Sequence, residues 1–499
     1  MSYIIGHDSD VPEFLRQPEP ITPITDVKDY DIVIIGAGSP GVPCALRAKE
    51  LGLKVCVVQK EATASACGNI GSGILVDQSS KDDIEKIISN EIAANDYRAK
   101  RSLIAHWAYH SGEAITWLID KAKAAGCQIT DEGDGMHTAL NNELNTDVHF
   151  VTSVFGPKPY NTGTAMTELI ESELAEGIDV FYNTCAEQLV KDGNRVIGVV
   201  AKTDDGYVQF NGKKGIVVAT GDYQNDDAML SYYLPDVVNL EKKKEGRTGD
   251  GHKMIVWAGG TIENIGHTKM CHDFDGGPAP MMSLPYLRVK RNGKRFANET
   301  VGMEYMNCFL LSPEDAGHYM QIFDSDYIEK SQHLKGGQAV PVAELKKFMP
   351  EEDVADRTGV IPDQMATFKA DTLEALAEKL GITDAAAFVD TVHRYNDMAK
   401  AGHDTEMGVD ADQMVTVDKA PFYGIHRHIR LTMCCSGVNI NEHHQCLDAD
   451  GNPIEGLFAI GNLAGNMYGA VDYPLGLVGI NLGNNYTSGY TTANYIASL

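Results

Sequence analysis

Residues 31–60 read DIVIIGAGSPGVPCALRAKELGLKVCVVQK. The apolar run Ile32–Ile35 has the length of a buried strand, and Val55–Val58 repeats it after a helical stretch that ends at Leu51. Between them Gly36, Gly38 and Gly41 stand in the spacing GxGxxG. The first glycine makes a tight turn, the second lets main chain approach a pyrophosphate, and the third lets helix pack on strand. Ser39 lies inside the turn, and the helix start faces the phosphates. This is the opening βαβ unit of a dinucleotide-binding sheet. At the end of the second strand, where an acid usually takes the ribose hydroxyls, the chain has Gln59 and Lys60. A glutamine amide still bonds a hydroxyl, more weakly than a carboxylate.

Outward from this unit, the 499 residues suit two or three domains with real cores. Seventy acidic against 42 basic side chains give a net charge of −28, which repels nucleic acid and anionic membranes. The N-terminus has neither a basic nor an apolar leader region, and no segment has the apolar length of a bilayer span. A cytoplasmic protein with no nucleic-acid or membrane partner is expected. The ten cysteines show no CxxC, so they read as buried thiols, the neighbours Cys434 and Cys435 included. His267, His443 and His444 lack ligand spacing with acids or cysteines, and no metal site is expected.

Residues 1–28, rich in proline and acid, read as an arm over the body. A nucleotide-binding domain runs over 29–265 and returns over 426–499, with helical sequence over 82–126 and strands at 187–190, 196–202 and 215–219. The part from 266 to 425 is richer in methionine and proline and carries helical patterns at 370–380 and 385–399; it reads as an inserted domain.

Several motifs in one order resemble the fumarate reductase and succinate dehydrogenase flavoprotein superfamily: Gln59–Lys60, CGNIGSG at 67–73, VVATGDYQNDD at 217–227, TGDG at 248–251 and RNGKRFANE at 291–299. ADT at 370–372, TVHRYN at 391–396, PFYG at 421–424 and GLFAIGN at 456–462 continue it. The resemblance implies an α/β fold: a Rossmann-like FAD-binding domain with an inserted α+β cap domain that closes the substrate site. It puts Asn69, Ser72 and Gly73, Ala186, Thr220 and Gly221 against the cofactor, with Asp250 of TGDG. It adds Gly461, Asn462, Asn481 and Leu482 near the C-terminus. Members that hold FAD covalently use a histidine in the 67–73 loop; none stands there, so non-covalent FAD is implied.

A dicarboxylate needs buried cations, because an unpaired buried charge is costly. Where the family keeps its proton-donating arginine this chain has Met281, Met282 and Leu284, a family histidine is Leu431, and 431–499 contains no lysine or arginine. An apolar substrate pocket follows, nearer the 3-ketosteroid dehydrogenase branch. Tyr473 in DYPLGL resembles that branch's carbonyl-polarising tyrosine, Tyr305 falls near its proton-transferring tyrosine, and His272 lies near a substrate-binding histidine. The expected reaction is hydride transfer between flavin N5 and the β-carbon of a C=C conjugated to a carbonyl, with a tyrosine moving the proton. A ketosteroid-like enone or an aryl enoate would serve, in either direction. No second glycine fingerprint follows a strand, so electrons come from a partner protein or from a second substrate. Two alternatives share the FAD domain: an amine or alcohol oxidase, which makes peroxide in air, and a flavin redox carrier, which turns nothing over.

Overall fold

The computed structural model describes residues 12–66, 68, 70–157, 162–264, 266–272, 279–282, 284–335, 342, 345, 354–355 and 365–499. The chain divides into two compact units. One comprises the chain up to Pro235 with Lys244–Met270 and Met433–Leu499; the other is Asp236–Lys243 with Cys271–Thr432. The short piece Asp236–Lys243 has no signal in the sequence, since a segment that leaves one core and re-enters it is read as a loop.

The first unit is built on an eight-stranded sheet. Its strands are β1 (Ile24–Ile35), β2 (Val55–Val58), β3 (Asp179–Phe181), β4 (Cys185–Asp192), β5 (Arg195–Thr203), β6 (Gly206–Val218), β7 (Gln445–Leu447) and β8 (Pro453–Ala459). The order is β7-β8-β5-β6-β1-β2-β3, with β4 on β5 and β8 also pairing β6. β1 runs parallel to β2, Ile32 opposite Val55, and to β6, Ile35 opposite Val218. Residues 32–35 and 55–58 are buried on both faces, which is why they read as unbroken apolar runs.

β1 begins at Ile24, inside the expected arm 1–28. Val27 and Lys28 pair with Gln209 and Phe210, so the last residues of the expected arm belong to the sheet. Their mostly polar side chains hid this, because that end of the strand is open to solvent. The expected helix over 82–126 is two, Lys81–Ala94 and Arg101–Ala124. Asp96 and Tyr97 between them take φ of 55° and 60°, a left-handed break that no glycine announces.

The second unit holds a five-stranded antiparallel sheet in the order Leu287–Val289, His318–Asp324, Phe422–His428, Met365–Ala370, Val354–Ala355. Helices Leu373–Leu380 and Ala385–Ala401 share a core with it, Leu376, Phe388 and Val392 packing with Leu287 and Ile322. The first helix starts at Leu373 rather than 370 because Thr372 caps it, its hydroxyl accepting from the Ala375 N–H at 3.1 Å, while 365–370 is strand. Asp384 caps the second in the same way through the Ala387 N–H.

Candidate functional site

The cleft of the first unit opens at the carboxyl ends of β1, β2 and β6. The space within it, open solvent at its mouth included, is about 850 Å³. Gly36 has a φ of 109°, and a Cβ there would sit 2.5 Å from the Ala219 carbonyl oxygen, so β1 turns where only glycine fits. A Cβ at Gly41 would overlap the Gly36 carbonyl oxygen, so this glycine sets how closely the helix Gly41–Glu50 approaches the turn. No side chain caps that helix, and its Val42 N–H donates to the Gly38 carbonyl at 3.0 Å.

Of the cofactor residues expected from sequence, Gly36, Gly38, Ser39, Gln59 and Lys60 line this cleft. So do Ala186, Thr220, Gly221, Asp250 and Asn462. Gln59 is committed inside the protein: its amide oxygen accepts from the Ala37 N–H at 3.0 Å and its amide nitrogen donates to the Thr63 carbonyl at 2.9 Å. It fixes the glycine turn onto the following loop. Lys60 donates to Thr248 Oγ1 at 2.8 Å and pairs with Asp250 at 3.0 Å, holding TGDG to the rim.

The remaining expected residues stand behind the cleft. Ser72 is fully buried, its hydroxyl 3.2 Å from Thr152 Oγ1 and from His137 Nε2. Gly73 packs on Ser111, where a Cβ would clash with main chain. Gly461 is in the left-handed region, at a φ of 70°, with Pro40 against it, and Leu482 packs over Gly68. Asn69 lies outside the described residues.

Sequence reasoning missed Arg247 and Asn485, both in the cleft lining. Arg247 donates to the Ser65 carbonyl at 3.0 Å, and its side chain lies along Gly221. Its signal was its place directly before TGDG. Asn485 donates to Ser39 Oγ at 3.3 Å, and stands one helical turn after Asn481 on Ile480–Ser498. Two cleft atoms are buried without a partner, Thr220 Oγ1 and Asn485 Oδ1. Buried polar atoms are normally satisfied, so these point to a polar ligand. The uncapped helix, the glycine cradle and these atoms fit the diphosphate and sugar parts of FAD.

Next to Asn462 the first unit carries a buried phenol pair. Asn481 Nδ2 donates to Asn462 Oδ1 at 3.1 Å and to Tyr468 Oη at 3.4 Å. The Asn481 N–H donates to Tyr473 Oη at 3.3 Å, and the rings of Tyr468 and Tyr473 are 5.1 Å apart. The Tyr473 N–H bonds the Lys269 carbonyl at 2.8 Å, which seats the segment. Burial pushes the Tyr473 phenol well above the ordinary tyrosine range, and the charges of Glu91 and Cys435 push the same way. Cys434 and Cys435 are both buried, and burial also raises the Cys435 thiol.

In the second unit His272 is buried, with Nε2 3.2 Å from Thr432 Oγ1. Tyr305, by contrast, is 68% exposed while its neighbour Met306 is buried. The structure does not give it the enclosed setting that was expected, because the turn Met303–Met306 presents the following residue to the core. Met281 and Leu284 pack with Tyr286 and Phe323, and their carbonyls accept from Gln321 Nε2 at 2.8 and 2.9 Å. Arg295 is 7% exposed and makes paired bonds to Glu299 at 2.9 and 2.7 Å and to Asp404 at 3.0 and 2.9 Å. RNGKRFANE is therefore a structural clamp around Arg295. Among the described residues no cluster of metal-ligating side chains occurs, and no helix is long and apolar enough to cross a membrane.

Known proteins resemble the chain at modest identity. The NADH:fumarate oxidoreductase of Klebsiella pneumoniae (strain 342) is 24% identical over 89% of this chain, which spans 45% of that longer protein. The vinyl phenol reductase of Lactiplantibacillus plantarum is 24% identical over 93% of this chain and 97% of its own length. Among solved structures, 3-ketosteroid delta1-dehydrogenase from Sterolibacterium denitrificans has a TM-score of 0.68 at 20% identity, covering 94% of this chain and 100% of that one, and shares the fold. The model of the FAD binding domain family matches residues 31–476, and the chain belongs to that family.

Proposed function

We propose that the protein is an FAD-dependent oxidoreductase acting on a carbon–carbon bond, which reduces or forms a C=C conjugated to a carbonyl in a small organic molecule. The observation that carries this reading is the buried phenol Tyr473, joined through Asn481 and Asn462 to the nucleotide cleft. Likeness to a vinyl phenol reductase and to an NADH:fumarate oxidoreductase supports the reaction class.

The helix start at Gly41, Ser39 and Arg247 would hold the diphosphate, the Lys60 rim the adenosine half, and Asn462, Thr220 and Asn485 the sugar alcohol and beyond. FAD is held without a covalent bond, since the 67–73 loop has no histidine. When bound it supplies hydride chemistry. The protein supplies the proton. The Tyr473 phenol stays protonated because it is buried, and its oxygen already accepts from the Asn481 N–H, which leaves its own hydrogen for the substrate. It donates to the carbonyl oxygen or returns a proton to the α-carbon, while its burial keeps water away. Electrons arrive from a partner protein or from a second substrate. Free cysteines suit a reducing compartment, and the cytoplasm is the proposed location.

The experiment is turnover of the purified, FAD-loaded protein with dithionite and a viologen on a panel of enones and enoates, with products read by mass. A gain of two hydrogens across one C=C is expected, and Tyr473→Phe should slow it about a hundredfold. An unchanged rate in that variant would remove Tyr473 from the reaction. Hydrogen peroxide from amines or alcohols in air, with no saturated product, would replace the reading by an oxidase.

A further inference from the structure

Among the described residues the first unit buries four carboxyl groups, those of Glu91, Asp222, Glu263 and Asp472. Three of them hold main chain. Glu263 accepts from the Gly437 N–H at 2.7 Å, Asp222 from the Gln224 N–H at 3.0 Å and Asp472 from the Tyr473 N–H at 2.8 Å. Glu91, 2% exposed, accepts only from a side chain, Asn95 Nδ2 at 3.0 Å, and among the described residues no cation pairs with it. Asn95 ties this acid to the phenol pair. Its Oδ1 accepts from the N–H of Gly469, next to Tyr468, at 3.0 Å, and the Lys100 N–H donates to the Asn466 carbonyl at 2.8 Å. The loop that follows the helix Lys81–Ala94 therefore lies on the segment carrying Tyr468 and Tyr473, and the charge of Glu91 reaches both phenols.

A buried phenol that gives its proton away must regain one before the next turnover, because an unpaired buried phenolate is costly. Tyr468 is placed to pass that proton on. Its side chain bonds that of Tyr473, and its oxygen accepts from Asn481 Nδ2 at 3.4 Å, which leaves its hydrogen for the Tyr473 oxygen. Cys435 also faces the pair, but burial holds its thiol well above the ordinary range, so it releases no proton near neutral pH. Burial raises the Glu91 carboxyl to about 7, with the Asn95 bond opposing, which is still far below either phenol. A proton held there runs downhill to a phenolate. One turn beyond Glu91 the chain reaches solvent at Asp96 and Tyr97, so water is close at hand to recharge it.

We propose that Glu91 is the positioning acid that returns a proton to Tyr473, through Tyr468, after each turnover. The proposal rests on the C=C reading above. As hydride from reduced FAD forms the C–H bond at the β-carbon, the Tyr473 O–H bond breaks and its proton goes to the substrate. The Tyr473 oxygen takes the proton of Tyr468, the Tyr468 oxygen takes that of the Glu91 carboxyl, and water reprotonates the carboxylate. Only protons move along this route, one for each C=C reduced.

The test gives benzalacetone, an enone, and cinnamate, an enoate, to the reduced, FAD-loaded protein, first for one turnover and then for many with dithionite and a viologen. In Glu91→Gln, whose amide oxygen can keep the Asn95 bond, the first turnover should match wild type and later ones should slow about tenfold or more. Glu91→Asp should recover part of the loss. Tyr468→Phe should slow the later turnovers alike, and the double variant should be no slower than the worse of the two, because both interrupt one route. With no substrate present, the infrared band of a protonated carboxylic acid, taken as wild type minus Glu91→Gln, should stand below about pH 6 and be gone above about pH 8. An unchanged rate over many turnovers in Glu91→Gln would overturn the proposal, as would absence of that band in acid. So would equal slowing of first and later turnovers with Glu91→Asp no better, since the glutamate would then be structural. Turnover of either probe by wild type keeps the C=C reading whatever the variants do; turnover of neither would remove the basis of both.

Discussion

The nucleotide cleft of the first unit and the arginine core of the second solve opposite problems with opposite materials. The cleft is made largely of main chain: Gly36, Gly38 and Gly221 withhold side chains so that N–H groups and a helix start meet an anion. The second unit is held by side chains, with Arg295 locked by two carboxylates and stacked 5.1 Å from the Tyr395 ring. Main-chain sites tolerate no added atom, whereas side-chain clamps tolerate no lost charge.

The largest effect should come from adding one methyl group to the cleft. Gly36→Ala puts a Cβ 2.5 Å from the Ala219 carbonyl at a φ of 109°, and both strain and clash oppose it. Purified protein should lose its yellow chromophore altogether, read as absorbance near 450 nm per chain. Full flavin content in that variant would show that the turn is not where the nucleotide is gripped.

Removing a charge from the clamp comes next. Arg295→Met strands Glu299 and Asp404 in a buried setting and should cost about 3–5 kcal/mol. Differential scanning fluorimetry should show the fall. An unchanged melting temperature would show that the clamp does not hold this unit together.

The smallest effect is in pH, and it should run in opposite directions at two groups of buried side chains, one in each unit. His318, His426 and His428 cluster on adjacent strands, His318 Nδ1 3.0 Å from His426 Nε2 and His318 stacked on His428 at 3.8 Å. Burial lowers all three, His426 and His428 to about 4, with neighbouring imidazoles and Arg291 adding to it and Glu241 opposing at His428. The unfolded chain then takes up protons that the folded one refuses, so their stability is present above pH 6.5 and lost as pH falls toward 4. In the first unit burial raises Glu91 and Glu263 to about 7. Their folded forms hold protons that the unfolded chain releases, so stability is present below pH 4.5 and lost as pH rises toward 7. Hydrogen exchange by peptide should show 318–324 and 422–428 loosening in acid and 81–94 loosening toward neutrality. The same direction in both would break the contrast.

The difference in materials also explains what the sequence could tell. GxGxxG, TGDG and the apolar runs announce themselves because each residue answers to local geometry, and the family's motif order placed most of the cleft lining. Gln59 is less transparent. Its position was clear, but its bonds to Ala37 and Thr63 depend on a loop conformation that composition does not encode. Arg247 and Asn485 were hidden because arginine and asparagine are ordinary on surfaces, and only the fold turns them inward. The exposure of Tyr305 was hidden for a related reason, since in the short turn Met303–Met306 it is the neighbouring Met306 that points inward. Arg295 is equally opaque in one dimension, since only the fold brings Asp404 to it from more than a hundred residues away.

The most direct measurement is a single turnover: reduce the FAD-loaded protein anaerobically, mix it with one equivalent of cinnamate in a stopped-flow instrument, and follow the flavin absorbance while trapping product. Return of the oxidised spectrum with one saturated product per flavin is the expected result. A spectrum that stays reduced with cinnamate and every other enoate or enone, yet recovers when oxygen is admitted, would contradict it.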